Sequence, residues 1–283
     1  DLWKNRQKDV LERMTELKFI TREQAQKAEK EKLVFKPNKN NIKAPHFVMY
    51  VKDLLIERYG LPVVERGGLT VITSLDLNTQ DMAQKIITDE VEKAGYLNFT
   101  TAGALVTNPT NGDILAMVGG KDYYDPNGGN YNITTALRQP GSTIKVVTYS
   151  AALMNGYTSA TGIQDTPVSF ASPGSSPYSP VNYDGRFHGQ VTLRNALGNS
   201  INIPAVKTLN QVGVPTMVNL SKKMGITTWG DPEEYGLAIT LGAAEAKMTD
   251  MATVYGSLAN KGKKVELNPI LKITNYQGAV LEE

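Results

Sequence analysis

The sequence predicts an α+β fold, and three observations predict it. Stretches near both ends and through the middle carry apolar residues at helical spacing. Two apolar runs flank Asn108-Pro109-Thr110-Asn111-Gly112, and two β-rich runs flank Gly67-Gly68; both patterns signal hairpins. The composition, 41% hydrophobic and 20% charged over 283 residues, can bury a core and is too apolar for wholesale disorder.

In chain order, residues 1–35 read as helices. Thr21 with Gln24 three positions later makes a capping box that opens the second of them. Residues 35–45 are polar and basic, contain Pro37 and Pro45, and read as a linker. Residues 46–60 form a helix with Val48, Val51, Leu54 and Leu55 on one face and Gly60 as its stop. Residues 63–75 read as a hairpin around Gly67-Gly68, and 77–95 as a long amphipathic helix closed by Gly95.

A second unit starts near residue 100 with the hairpin around the Asn108–Gly112 turn. A Gly/Tyr/Asn-rich loop follows, then a helix over 140–156 stopped by Asn155-Gly156. Residues 157–190 hold four Pro and many Ser and Gly; a loop that long serves a site or is mobile. Two helical stretches come next, the first interrupted at Asn199–Asn202. Thr249 caps a later helix, and the tail turns β-like. No solenoid-type repeat is present.

Several chemistries are excluded. Without Cys there are no disulfides, thiol nucleophiles or Cys-ligated metals, and two His, His46 and His188, cannot make a His-rich metal site. No G-x-G-x-x-G or G-x-x-x-x-G-K-[ST] occurs, which argues against the common nucleotide sites. Residues 1–60 carry 14 Lys+Arg against 9 Asp+Glu, a net of +5. The acids interspersed there, and the lack of interleaved aromatics, favour a solvated helical face over a nucleic-acid surface. No run approaches the roughly 18 apolar residues of a membrane span. The chain starts at Asp1 inside a helical pattern and reads as a piece of a longer protein.

The sharpest local feature is Arg138-Gln-Pro-Gly-Ser142-Thr-Ile-Lys145. Pro140-Gly141 precede an apolar helical run, so Ser142 falls on its first turn and Lys145 lies three residues on, over the same face. A lysine there can take the hydroxyl proton once burial or cations lower its pKa from about 10.4. The unpaired N–H groups of a first helical turn suit a developing oxyanion. S-x-x-K alone also fits a surface Ser and Lys; the R-Q-P-G turn and the apolar helix behind it explain why the serine is presented. The second feature is Ser200-Ile201-Asn202 between two helices. It can project a hydroxyl and a carboxamide into a cleft, or simply cap the helix that follows.

RQPGSTIK, followed 58 residues later by the serine of SIN with TLRNAL before it and IPAVK after, resembles the transpeptidase domain of class A penicillin-binding proteins. GALVTNPTNGDILAMVGG resembles that domain's first hairpin, and GLAITLGAAEAKMTDMATVYGSLANKG its later helical segment. GGLTVITSLDLNTQDMAQ is similar to the connector, and LERMTELKFITREQAQKA to the last helices of the preceding glycosyltransferase domain. The resemblance implies three parts: glycosyltransferase helices over 1–35, a connector over 36–97 and a transpeptidase domain over 98–283. It implies an antiparallel sheet flanked by helices, with the sheet incomplete here.

By the same resemblance Ser142 is the acylated nucleophile, Lys145 its proton acceptor, Ser200 the relay to the leaving amine and Asn202 the holder of the substrate amide. Substrates would be D-alanyl-D-alanine stem peptides, with β-lactams as covalent mimics. No metal, cofactor or nucleic acid is implied. The intact protein would sit on the extracytoplasmic face of the bacterial membrane, anchored by an N-terminal segment. The sequence departs from the pattern in having no K-T-G, Val146 where Pro is frequent, and no glycosyltransferase E-D-x-x-F-x-x-H. A β-lactamase or D,D-carboxypeptidase, and a non-catalytic scaffold module, are the competing readings. His188 reads as structural, and Met248 with Met251 as core packing.

Overall fold

The structure, a computed structural model, describes residues 2–31, 42–171 and 176–283. The chain divides into two compact units, Asp1–Asn41 and Ile42–Glu283. The expected linker at 35–45 lies, up to residue 41, outside the described residues. In the first unit α1 (Leu2–Glu16) and α2 (Arg22–Lys30) are joined by a bond from Gln7 Nε2 to Ala28 O at 3.0 Å. The capping box forms: Thr21 Oγ1 accepts the Gln24 N–H at 3.2 Å, and Gln24 Oε1 accepts the Thr21 N–H at 2.8 Å.

The second unit begins with α3 (Pro45–Tyr59), α4 (Leu61–Arg66), β1 (Thr70–Thr73) and α5 (Leu77–Lys93), which lead into the hairpin of β2 (Ala104–Thr107) and β3 (Ile114–Val118). A 3-10 turn over Gly141–Ile144 opens α6 (Lys145–Met154). β4 (Gly162–Asp165) and β5 (Gly189–Thr192) pair with each other. Next come α7 (Leu193–Gly198), α8 (Asn202–Val212), α9 (Val214–Met224), α10 (Met248–Ala259), β6 (Ile270–Thr274) and β7 (Val280–Glu282). The sheets are small and antiparallel, ordered β1-β6-β7, β2-β3 and β4-β5.

The main core lies around α6. Ile144 and Val147 pack with Leu209, Met217, Val218, Ile239 and Val254 from the later helices. Burying each such side chain contributes about 1.5–3 kcal/mol. A second core joins Phe47, Val51 and Leu55 of α3 to Ile114, Met117, Ile270 and Ile273 of the strands. Val48, expected on that inward face, is exposed; Phe47 takes its place in the i, i+4, i+8 row.

Three further expectations are corrected. The run before Gly67-Gly68 is α4 rather than a strand, because Pro62 suits a first helical turn and outweighs the β-branched Val63 and Val64. The strand after the glycines, β1, pairs with β6, matching Thr70 with Thr274 and Val71 with Ile273. The loop over 157–190 contains β4, which pairs with β5 from Gly162↔Thr192 to Asp165↔Gly189; with so few apolar residues, neither strand shows an alternating pattern. Thr249 lies inside the first turn of α10, and Lys247 is its N-cap.

The outer edge of β3 is covered by polar groups. Ser74 Oγ bonds both the N–H and the C=O of Ile114 at 3.0 Å, the Asp76 N–H donates to Leu115 O at 3.0 Å, and Gln80 bonds both backbone groups of Met117. β2 has no second strand partner among the described residues.

Candidate active site

The 138–145 segment is held from three sides. Arg138 and Ala246 exchange backbone hydrogen bonds at 3.1 and 2.9 Å. Thr143 O accepts the hydroxyl of Tyr255, on α10, at 2.9 Å. Gly141, at φ +57°, backs onto Gly242, at φ +87°; a Cβ on Gly242 would sit 2.2 Å from Gly141 N and 2.4 Å from its Cα. Only glycine permits that approach. The clamp leaves Ser142 exposed on its 3-10 turn, and its N–H meets no backbone acceptor among the described residues.

Lys145 is wholly buried at the start of α6. Its amine lies 2.6 Å from Ser200 O, 3.1 Å from Ser200 Oγ and 2.6 Å from Asn202 Oδ1. These three acceptors match the three protons of an ammonium. No carboxylate forms an ion pair with it among the described residues. Burial therefore acts unopposed by a countercharge and lowers its pKa from 10.5 to about 8. About one amine in ten is then neutral at pH 7. Spacing placed Lys145 over Ser142, but no hydrogen bond joins the two side chains. The amine is turned to the 200–202 loop, whose acceptors occupy its protons.

That loop has an unusual build. α7 ends in a Schellman motif, with Ser200 N–H on Leu197 O at 3.0 Å and Ile201 N–H on Ala196 O at 2.9 Å. Its left-handed position, normally glycine, is Ser200 at φ 54°. The turn lifts the Ser200 hydroxyl toward Lys145. Asn202 does not cap α8: the N-cap is Ile201, without a side-chain bond. Its carboxamide instead spans Lys145 Nζ and Val181 O, the latter at 2.9 Å. Two side chains that the sequence did not single out, Asn182 and Asp165, support this loop; isolated polar residues in an irregular segment carry no spacing signal. His188 Nδ1 lies 2.6 Å from Asp165 Oδ2, and its Nε2 lies 3.2 Å from Asp184 Oδ2.

Two cavities adjoin the site. One of about 470 Å³ is bordered by Ser200, Asn182, His188, Asn195 and Val191. An apolar one of about 360 Å³ lies beside Pro140 and Thr143, bordered by Leu105, Met248, Met251 and Tyr255. Met251 also packs on the main core, and both methionines face this cavity. Among the described residues no group of three or more His, Asp or Glu is placed to hold a metal ion.

Comparison with known proteins decides the family. Residues 102–280 match the penicillin binding protein transpeptidase domain. This chain belongs to that family. It is 33% identical over 288 residues to Penicillin-binding protein 2D of Bacillus subtilis (strain 168), covering 99% of this chain and 40% of that protein. It is 31% identical to Penicillin-binding protein 1A of Clostridium botulinum, covering 100% of this chain and 38% of that protein. The chain thus spans about two fifths of these relatives' length. The crystal structure of Penicillin-Binding Protein 1A from Haemophilus influenzae matches with a TM-score of 0.78 at 24% identity, over 99% of this chain and 55% of that one. The PonA1 protein of Mycobacterium tuberculosis in complex with penicillin V matches with a TM-score of 0.69 at 20% identity, over 85% and 65%. The expected 1A-like penicillin-binding family and α+β fold class are borne out.

Proposed function

We propose that this chain is the transpeptidase portion of a longer, bifunctional cell-wall synthase. In it Ser142 is acylated by D-alanyl-D-alanine stem peptides and, in their place, by β-lactams. The observation that carries this reading is the buried Lys145 amine, held by the neutral acceptors of Ser200 and Asn202 rather than by a carboxylate. Family membership and the penicillin V complex of the PonA1 relative support it.

The steps follow from the groups present. Neutral Lys145 takes the Ser142 hydroxyl proton as Oγ bonds to the carbonyl carbon of the penultimate D-Ala. The tetrahedral oxyanion faces the free Ser142 N–H. Collapse breaks the peptide C–N bond, and the departing D-Ala amine takes a proton from Lys145 through Ser200. The amine of a second stem peptide then attacks the ester carbon and gives its proton through Ser200 to Lys145, which passes it to Ser142 Oγ as that oxygen leaves, restoring the serine hydroxyl and the neutral amine. Asn202 holds the substrate amide. With a β-lactam the leaving amine stays tethered, so the acyl-enzyme persists. The residues over 1–35 are the end of the glycosyltransferase part and those over 36–97 the connector, and an N-terminal segment of the longer protein holds it to the outer face of the membrane. Among the described residues no helix is long and apolar enough to cross a membrane.

The test is labelling of the longer protein with a fluorescent penicillin and mapping of the adduct by mass spectrometry. A single adduct on Ser142, lost in Ser142→Ala, is expected. Label on another residue, or undiminished label in the variant, overturns the assignment.

A further inference from the structure

The long segment over 157–190 reaches the site without supplying a reacting group. Asn182, 5% exposed, accepts at Oδ1 the backbone N–H groups of Asn202 and Ile203, each at 3.1 Å. These are orphan donors in the first turn of α8, whose own N-cap, Ile201, has no side-chain acceptor. A carboxamide 20 residues upstream therefore caps the helix. Asn182 Nδ2 is anchored in turn, 2.9 Å from each Asp165 oxygen and 2.7 Å from Arg186 O. Asp165 is wholly buried at the end of β4, and its Oδ2 also accepts the His188 N–H at 2.8 Å. The His188 ring closes the far side at 2.6 Å and meets Asp184 with its other nitrogen. On α6, the Tyr149 hydroxyl is buried without a hydrogen bond; burial and the Asp165 charge both raise its pKa.

We propose that Asn182 and Asp165 are positioning residues: they pin the first turn of α8 and so hold Asn202 Oδ1 and the Ser200 oxygens on the Lys145 amine. The functional weight of this inference rests on the reading of Lys145 as the base; its geometry does not. With Asn182 occupied by the backbone of α8, Asn202 need not cap its own helix and is free to face Lys145. Truncation of Asn182 strands two N–H groups that the Asn202 turn must then satisfy, which draws the acceptor away from Lys145. An ammonium that loses a hydrogen-bond acceptor deprotonates more readily.

Nuclear magnetic resonance of ¹³Cε-labelled lysine, with the Lys145 signal assigned by Lys145→Met, tests this in the protein as it stands. Asn182→Ala and the isosteric Asp165→Asn, each shown to be folded by circular dichroism, should lower the Lys145 pKa by about one unit, tenfold in its neutral-to-charged ratio. Exchange of the Asn202 and Ile203 amide hydrogens should rise roughly tenfold in the same variants. Tyr149→Phe, a neighbour of Asp165 outside the chain of bonds, should change neither. In the unmutated protein both amides should exchange slowly. Exchange there at unfolded-chain rates, or an unaltered Lys145 titration in a folded Asn182→Ala or Asp165→Asn protein, overturns the proposal. Neither readout involves acylation, so failure of the Ser142 assignment is seen separately, in the penicillin adduct.

Discussion

Lys145 Nζ and Asn202 Oδ1 stand 2.6 Å apart across 57 residues of sequence, an ammonium held by a neutral amide oxygen in a buried setting. The neutrality of that partner matters. A carboxylate would pin the lysine in its charged form, whereas a dipole orients the amine and leaves burial free to lower its pKa. The pair thus combines a fixed position with an amine that releases its proton near pH 8.

Asn202→Asp tests this directly. The substitution keeps an oxygen at the same place and adds a negative charge, so the Lys145 pKa should rise above 10.5. In the longer protein, penicillin acylation at pH 7.5 should fall by roughly 10²–10⁴, the contribution of a positioned general base. Acylation within a few-fold of the unmutated rate would show that Lys145 is not the base, or that its charge state does not limit the reaction.

The lowered pKa also sets a pH dependence of stability. The folded-state value of about 8 lies below the unfolded value of about 10.4, so between the two the unfolded chain binds more protons. Stability from this group therefore rises with pH across that window and is flat below it, where both states are protonated. Urea unfolding at pH 7.5 and pH 10 should show Lys145→Met gaining stability relative to the unmutated chain at the lower pH. That advantage should shrink by about 2–3 kcal/mol at the higher. A constant difference between the two proteins would mean that the burial of Lys145 carries no proton penalty.

Gly242→Ala isolates the contact behind the nucleophile turn. Its Cβ would meet the Gly141 backbone at 2.2 to 2.5 Å, and a main chain cannot swing aside as a side chain can. Gly262, at φ +86° with no atom within 4 Å of a built Cβ, is the control for backbone strain alone. Gly262→Ala should cost about 1–2 kcal/mol, and Gly242→Ala a further 1–3 kcal/mol from overpacking, with slower acylation at Ser142. Equal losses in urea titrations would show that the turn yields to the added methyl.

How much of this was readable from residues alone follows from chain distance. Ser142 and Lys145 share one turn, and the Pro140-Gly141 stop before an apolar helix is a local signal. The β2–β3 hairpin is likewise local, with Asn108 to Gly112 at its turn. The partners that hold the Lys145 amine at rest lie 55 and 57 residues away, so i, i+3 spacing could relate it to Ser142 but could not find Ser200 and Asn202 as its acceptors. β1 was mispaired for the same reason: Val71 opposes Ile273, and no turn links them. Asn182 and Asp165 had no periodicity, motif or charge partner to mark them, since their role arises only when β4 and the start of α8 meet.

β3 is sealed by Ser74, Asp76 and Gln80, whereas β2 has no second strand partner among the described residues, and Val106 is exposed on it. Unpaired strand edges recruit other chains. On the proposed reading, further sheet strands and a K-T-G wall with the second oxyanion donor would lie in the longer protein. Loss of one such donor costs roughly 10²–10³ in rate. Residues 1–283 alone should therefore acylate far more slowly than the longer protein and self-associate with rising concentration, and Val106→Lys should suppress the association without restoring the rate. Gel filtration and penicillin-labelling rates, run side by side, separate the two effects. A monomeric 1–283 chain that labels at the rate of the longer protein would show that the oxyanion site is complete within these residues, with the Ser142 N–H and a second donor both inside the chain.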